Sequence, residues 1–372
     1  MADNFLAGLL EQATIFNAQA AEAIQNYPVL SKAEDWRWTP LKALRSKKWR
    51  MTGADYQSML ADELAENLVE DAHEWQAFNQ APFAALNVSL LNETLVIDVP
   101  ENFASTQVEA LNISQRQRDM QFSRVRVRLG KDARLCLWMD VAAVANGAQV
   151  SLIEFELAEN AALDAVCWAS GEAASAQVME WRVLQARGSE ANVNAALHSS
   201  VLARLDVVAE LQAEDAHFKF GGVQMTAGEE VADFHVQVRH LAENCTSQQV
   251  VRGVLREQAQ GIFDGLIYVA YGAQKTDARQ DSRYILLDKS AKSHSVPRLE
   301  IYADDVQCAH GSTVGFLDAE AVFYLQSRGI GLEEAQKMLT LGFLQEATIL
   351  EDEEMTAQFN EAIISVMQGE QE

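Results

Sequence analysis

With 372 residues, 49% of them apolar, and a formal net charge of −25, the chain has material for two or three units around a sizeable core. So negative a balance excludes nucleic acid and an anionic membrane surface as partners, because both require a basic face. No apolar run is long enough to span a bilayer, the start MADNFLAGLLEQATIF lacks the positive charge of a signal peptide, and Cys136, Cys167, Cys245 and Cys308 are too scattered for a secreted disulfide framework, so reduced thiols in a cytoplasm are expected.

In chain order, residues 2 to about 90 read as helical, since Phe5, Leu6, Leu9 and Leu10, and later Leu60, Leu64 and Leu68, recur at helical spacing. Between them lies YPVLSKAEDWRWTPL, residues 27–41, where Trp36 and Trp38 beside Pro40 suit a plug between helices better than a binding surface. From Leu95 to Tyr302 the pattern turns to strand. Val125, Val127 and Leu129 alternate with Arg124, Arg126 and Arg128, and Ala232, Phe234, Val236 and Val238 with Asp233, His235, Gln237 and Arg239. Further strands are expected near 150–157, 178–184, 202–208, 249–255, 262–270 and 284–287. The segments recur roughly every 15 to 25 residues, with Asn146-Gly147 and Asp264-Gly265 as the only Asn-Gly or Asp-Gly dipeptides. Rungs of this kind favour a parallel β-solenoid over a sandwich.

The chain changes character between Pro297 and Gly342. Leu299, Ile301 and Ala303 alternate with Glu300, Tyr302 and Asp304, and an extended run continues to Gly311. Cys308 and His310 then lie two residues apart on one side of a strand. Sulfur and nitrogen donors together suit soft or borderline metals and iron–sulfur species, although the spacing by itself fits a packed thiol beside a hydrogen-bonded histidine more often. Asp318 is placed to cap a helix through Ala321, Val322 and Leu325 that Gly329 stops. Leu332, Ala335, Met338, Leu339 and Leu341 mark a second helix ending near Gly342. In residues 351–372, Met355, Phe359, Ile363 and Met367 share one helical face, which either docks on its own domain or meets a partner. The expected organisation is a helical region over 1–92, a solenoid over 93–315 and a second helical region over 316–372.

The sequence has no GxxxxGK[ST] loop, no GxGxxG after a strand, no GxSxG and no HExxH. A solenoid carbohydrate-active enzyme using paired carboxylates is the alternative in the enzyme class, and a self-associating binding module is another. His235 and His240 differ in strand parity, so they and Cys245 are read as structural.

The stretch PRLEIYADDVQCAHGSTVG, followed by LDAEAVFYLQSRGI and Gly342-Phe343, closely resembles the SufB/SufD family of iron–sulfur cluster assembly scaffold proteins. The likeness extends through GVL, GIFDGLIYV, AQKTDARQ and ILL within residues 249–287, and returns at KAEDWRWTPL, residues 32–41, and FAALN, residues 83–87. The stretch from Leu95 to Val231 is assigned by position alone. Where the SufB pattern resembles LEHEAT, this chain has Cys308-Ala309-His310-Gly311-Ser312-Thr313. It also has no cysteine between Cys245 and Cys308, where SufB carries one after its counterpart of Ala278 to Gln280. Both departures set it on the SufD side of the family, without part of the ligand set associated with SufB.

The resemblance implies a right-handed parallel β-helix flanked by α-helical regions at both ends, and a non-catalytic scaffold subunit of an ATP-driven complex. It implies pairing with a SufB-like paralogue through the β-helices, and docking of a SufC-like ABC ATPase on the C-terminal helices. ATP-driven closure of the ATPases would then strain the interface between the paired subunits. Cys308 and His310 become candidate contacts to a transient iron or iron–sulfur cluster at the SufB interface. Phe323, Tyr324, Arg328 and Phe343 become candidates for meeting SufC or supporting its docking. Sulfur would come indirectly from a cysteine desulfurase system, a reduced flavin is implied at most for the complex, no cofactor is expected to stay on this chain, and a homodimer is an option when it is alone.

Overall fold

The computed structural model describes residues 4–12, 14–28, 30, 33–45, 48–70, 81–115 and 118–369. Its centre is a parallel β-solenoid built from strands that alternate between two sheets. In one sheet lie β4 (Glu93–Val99), β6 (Met120–Leu129), β8 (Ala148–Leu157), β10 (Ala176–Gln185), β12 (Leu202–Leu211), β14 (Val231–His240), β16 (Gln260–Val269) and β18 (Lys292–Ile301), each paired with the next. In the other lie β5 (Glu109–Ser114), β7 (Arg134–Ala143), β9 (Ala162–Gly171), β11 (Glu190–His198), β13 (His217–Thr226), β15 (Thr246–Leu255), β17 (Asp277–Leu286) and β19 (Gln307–Gly315). One strand from each sheet makes a turn, and about eight turns stack.

The alternation read from the sequence is the reason. Val125, Val127 and Leu129 of β6 point into the space between the sheets and stack on Ile153, Phe155 and Leu157 of β8. Phe234 of β14 meets Phe220 of β13 across the interior at 5.4 Å, ring edge to ring face. The corners are single left-handed residues rather than hairpins: Asp132, Asn146, Asn160, Ala174, Ser199, Asp215 and Asn244 all have φ near +60°. Short polar side chains tolerate that conformation best, and Asn160 also donates from Nδ2 to Asp132 Oδ1 at 2.9 Å on the turn before.

Helices cover the outer faces. α1 (Asn4–Leu10), α2 (Ala18–Asn26), α3 (Lys42–Arg45) and α4 (Pro82–Leu90) bury Leu6, Ile24, Leu44 and Leu86 against outward residues of β6, β8 and β10. Beneath them Arg124 is fully buried, and its guanidinium donates to the carbonyls of Asn87 and Leu91 at 3.2 and 2.6 Å. Residues 51–70, read as helix from Leu60, Leu64 and Leu68, form strands instead: β1 (Met51–Gly53), β2 (Asp55–Met59) and β3 (Ala65–Glu70). β2 and β3 pair antiparallel with β5 and β4, so sheet pairing on the first turn outweighs the helical spacing of three leucines, of which only Leu64 is buried.

Trp36 acts as the expected plug, stacked 3.8 Å from the buried Arg204 guanidinium. Trp38 is half-exposed and lies flat on His294 at 4.2 Å. At the other end, α5 (Ala319–Ser327) begins at Asp318, whose side chain accepts from Glu320 N, and stops before Gly329 with φ +89°. α6 (Leu332–Gln345) runs past Gly342, and α7 (Glu353–Gly369) follows; residues 370–372 of the expected last helix lie outside the described residues. The apolar face of α7 docks on its own solenoid, with Met355, Phe359, Ile363 and Met367 buried against Val166, Ala196 and Val223. Among the described residues no helix is long and apolar enough to cross a membrane.

Candidate functional site: the open last turn

Each turn of the solenoid is covered by the next, except the last. β18 and β19 are terminal strands of the two sheets; seven of the nine residues of β19 are exposed, Ile301 and Val314 among the large apolar groups that face solvent at this end.

Register fixes what this turn presents. Ala278, Gln280, Ser282 and Tyr284 of β17 are the buried, inward members, and they pair with Cys308, His310, Ser312 and Val314. Parallel partners in register put their side chains on the same face, so Cys308 and His310 share the inward side of the last rung, about 7 Å apart along the strand. Cys308 is half-buried against Ile267, Val269, Ala278 and Ala303, and burial, reinforced by the Asp277 carboxylate, pushes its thiol up from the usual range. His310 lies at the open end, exposed.

All four cysteines are free. The other three offer poorer chemistry: burial drives Cys136 up to about 12, with Asp352 and Asp164 adding to it, and raises the fully buried Cys167 further, while the Cys245 thiol points at the Ala213 carbonyl, 3.3 Å away. His235 and His240 face opposite sides of β14, as parity requires. His235 Nε2 lies 3.1 Å from Asp233 Oδ1 on the outer face, and His240 is buried in the interior, 2.8 Å from Ser247 Oγ. Among the described residues no three His, Cys, Asp or Glu side chains are grouped to hold a metal ion. Cys308 and His310 are thus one thiol and one imidazole on the same face, fewer donors than a tetrahedral metal site needs.

The candidate docking residues divide. Phe323 and Tyr324 on α5 are exposed, 71% and 54%, and the Arg328 guanidinium sits 4.6 Å from the Tyr324 ring. Exposed Phe316, Leu332 and Met338 lie in the same helical segment. Phe343 is half-buried against the α7 cluster, with the Arg252 guanidinium 5.7 Å from its ring, so the structure sets it apart from the other three. A cleft of about 320 Å³ opens between the N-terminal helices and the outer face of the β18 sheet. Its charged walls are already paired, Arg204 with Asp206 at 2.7 Å and Arg298 with Asp264 at 2.5 Å, and neither Cys308 nor His310 lines it.

Sequence reasoning missed the polar interior behind the pair. Gln249, Gln280 and Ser282 are buried inside the last turns, and Ser282 Oγ meets Ser295 Oγ at 2.7 Å across the sheets. The signal was glutamine at the inward positions 249 and 280, in a column that carries Leu137, Ala165, Val193 and Phe220 on the earlier rungs.

A two-sheet parallel solenoid, helical on both flanks, with one thiol and one imidazole on the inward face of its exposed last turn, is the class of protein that the fold defines. Residues 112–343 match the SufBD core domain of SUF system FeS cluster assembly, and the chain belongs to that family. It is 35% identical to the iron–sulfur cluster assembly protein SufD of Escherichia coli (strain K12) over 177 residues, 47% of this chain and 42% of that protein. With SufD of Bacillus subtilis (strain 168) it shares 36% identity over 117 residues, 32% of this chain and 27% of the relative. A SufBD family protein of Synechocystis is 33% identical over 145 residues, 39% and 32% of the two chains. Its likeness is thus to SufD, and the matched stretches span less than half the length of each relative.

Proposed function

We propose that this SufD-like chain is a non-catalytic scaffold subunit that pairs with a SufB-like paralogue through its open last turn and receives a SufC-like ABC ATPase on the exposed aromatic side of α5. In this reading an iron–sulfur cluster is cargo, assembled at the joint of the two solenoids in the cytoplasm and passed on to apoproteins. The supporting observation is the terminal rung itself: an unpaired strand edge that carries Cys308 and His310 as an incomplete donor set. Unpaired edges are templates for pairing, and an incomplete set of sulfur and nitrogen donors leaves the remaining positions to the partner. The apolar surface of Phe323, Tyr324, Phe316 and Met338 is of the kind that marks a contact with another protein.

Co-expression with SufB-like and SufC-like subunits tests the reading. The tagged chain is expected to recover both, and the complex with His310→Ala to assemble normally while losing most of its iron. Normal iron in a properly assembled His310→Ala complex rejects the role of His310, and recovery of a lone homodimer favours the self-associating module instead.

A further inference from the structure

The interior column that ends at His310 changes chemistry one rung at a time. Phe220 of β13 is in register with Gln249 of β15, Gln249 with Gln280 of β17, and Gln280 with His310 of β19. Gln249 is fully buried and Gln280 nearly so, at 2% exposure. Gln280 Nε2 donates to Gln249 Oε1 at 3.3 Å. A stacked amide that donates toward one neighbour turns its oxygen toward the other, and that oxygen, Gln280 Oε1, is buried with no hydrogen-bond partner among the described residues. Amide oxygens are seldom left this way, because an unmet acceptor in the interior is destabilising. The residue on the next rung is His310, one strand spacing of about 4.8 Å away, and an imidazole always has an N–H to offer.

We infer that Gln280 is a positioning residue for His310: its Oε1 accepts the N–H of one ring nitrogen, so that the other nitrogen keeps its lone pair and faces the open end of the solenoid. Histidines that bind metals commonly have their second nitrogen tied in this way, which fixes both tautomer and ring orientation. Gln249 acts from behind by setting the sense of the Gln280 amide. The inference deepens the proposed role of His310 and rests on that reading for its purpose, but the hydrogen bond belongs to this chain alone and is measured without partners or iron.

The experiment is nitrogen NMR on the full chain labelled with ¹⁵N-histidine at pH 8, where an imidazole is neutral, with His310 assigned by its absence in His310→Ala. Gln280→Leu removes the acceptor and is expected to change the ratio of the two His310 tautomers about fivefold, the equivalent of one ordinary hydrogen bond. Gln280→Glu keeps an acceptor at the same reach and is expected to retain the wild-type ratio, with Gln249 turning its own amide to donate. Gln249→Leu, a rung further from the open edge, is expected to move the ratio in the same direction as Gln280→Leu, and it stands in for that variant should the latter not fold. Wild-type nitrogen shifts in either folded leucine variant overturn the inference. Failure of the wider function appears elsewhere, as normal iron in an assembled His310→Ala complex, and leaves these shifts unchanged.

Discussion

Buried ionisable side chains in the middle of the chain set its response to acid. His240 is fully buried in the solenoid interior and His198 is 8% exposed, its ring 5.1 Å from that of Trp168, and burial lowers both to about 4. An unfolded chain takes up these protons near pH 6.5, so between 6.5 and 4 the unfolded state holds more protons than the folded one and stability falls as pH falls. Each histidine contributes up to about 3 kcal/mol to that loss. Asp233 extends it: burial works against ionisation, but His235 and Arg204 outweigh it and hold the carboxyl below its usual range, so stability present above about pH 4 is lost on further acidification. The urea midpoint is therefore expected to drop steeply from pH 6.5 to 4, and His240→Gln to recover about 2 kcal/mol of that drop, because glutamine can still meet Ser247 without taking up a proton. An unchanged slope in the variant would remove His240 from the account. At this scale the sequence showed a good deal. Parity alone separated His235 from His240 and put Cys308 beside His310. The orphaned oxygen of Gln280 stayed hidden, since it follows from which rung stacks on which.

The strands were legible wherever one face met charge and the other met the core. β6 and β14, with arginine, aspartate and histidine outward, alternate plainly, and both lie in one sheet. The opposite sheet reads poorly because its outer face is covered too. On β9 the inward Leu163, Ala165 and Cys167 alternate with Val166 and Trp168, which pack on α7, so both faces are apolar and the period disappears. Of that sheet only 249–255, 284–287 and the run to Gly311 are legible, so the expected segments recur roughly every 15 to 25 residues, whereas β8, β9 and β10 start at residues 148, 162 and 176. The element that hides them is itself anchored at defined points. Phe359 of α7 lies edge-on to Trp168 at 5.9 Å and near Trp138 at 6.3 Å. In the segment before α7, Asn194 Nδ2 donates to the Ala347 carbonyl at 2.8 Å, and Asp164 Oδ2 accepts from Glu351 N and Asp352 N. Gly221 leaves the space for this approach, since a Cβ there would come within 2.0 Å of the Ala347 oxygen. Phe359→Ala removes the central ring of that contact and is expected to cost about 3–5 kcal/mol. Most of it should appear as local release of α7 rather than global unfolding, because the inner columns of the solenoid are untouched. Limited proteolysis reads the difference: early cleavage within residues 346–369 with a protected solenoid supports it, and an unchanged digest does not.

The molecule as a whole is a stack whose two ends are finished differently. Antiparallel β2 and β3 end the sheets at the first turn, whereas parallel β18 and β19 end them at the last, and among the described residues β19 has a strand on one side alone. The ladder identifies which backbone groups stay unmet. Gln307 N donates to Thr276 O at 2.8 Å, and in a parallel pair alternate residues face the same neighbour, so the N–H groups of Cys308, His310, Ser312 and Val314 point to the free edge. A proline among these four removes a donor from the edge and none from the ladder beneath, as prolines do on natural edge strands. Ser312→Pro is therefore expected to leave the thermal melt of the isolated chain within a few degrees of wild type, while blocking association through the open edge, whether with a SufB-like paralogue or with a second copy. Thr313→Pro, one residue on, strikes the ladder itself and is expected to loosen β19 in the isolated chain. Light scattering after size exclusion, alone and mixed with the paralogue, distinguishes the two. Pairing retained by Ser312→Pro at wild-type strength would move the joint away from the last rung, and with it the case for Cys308 and His310 as shared donors.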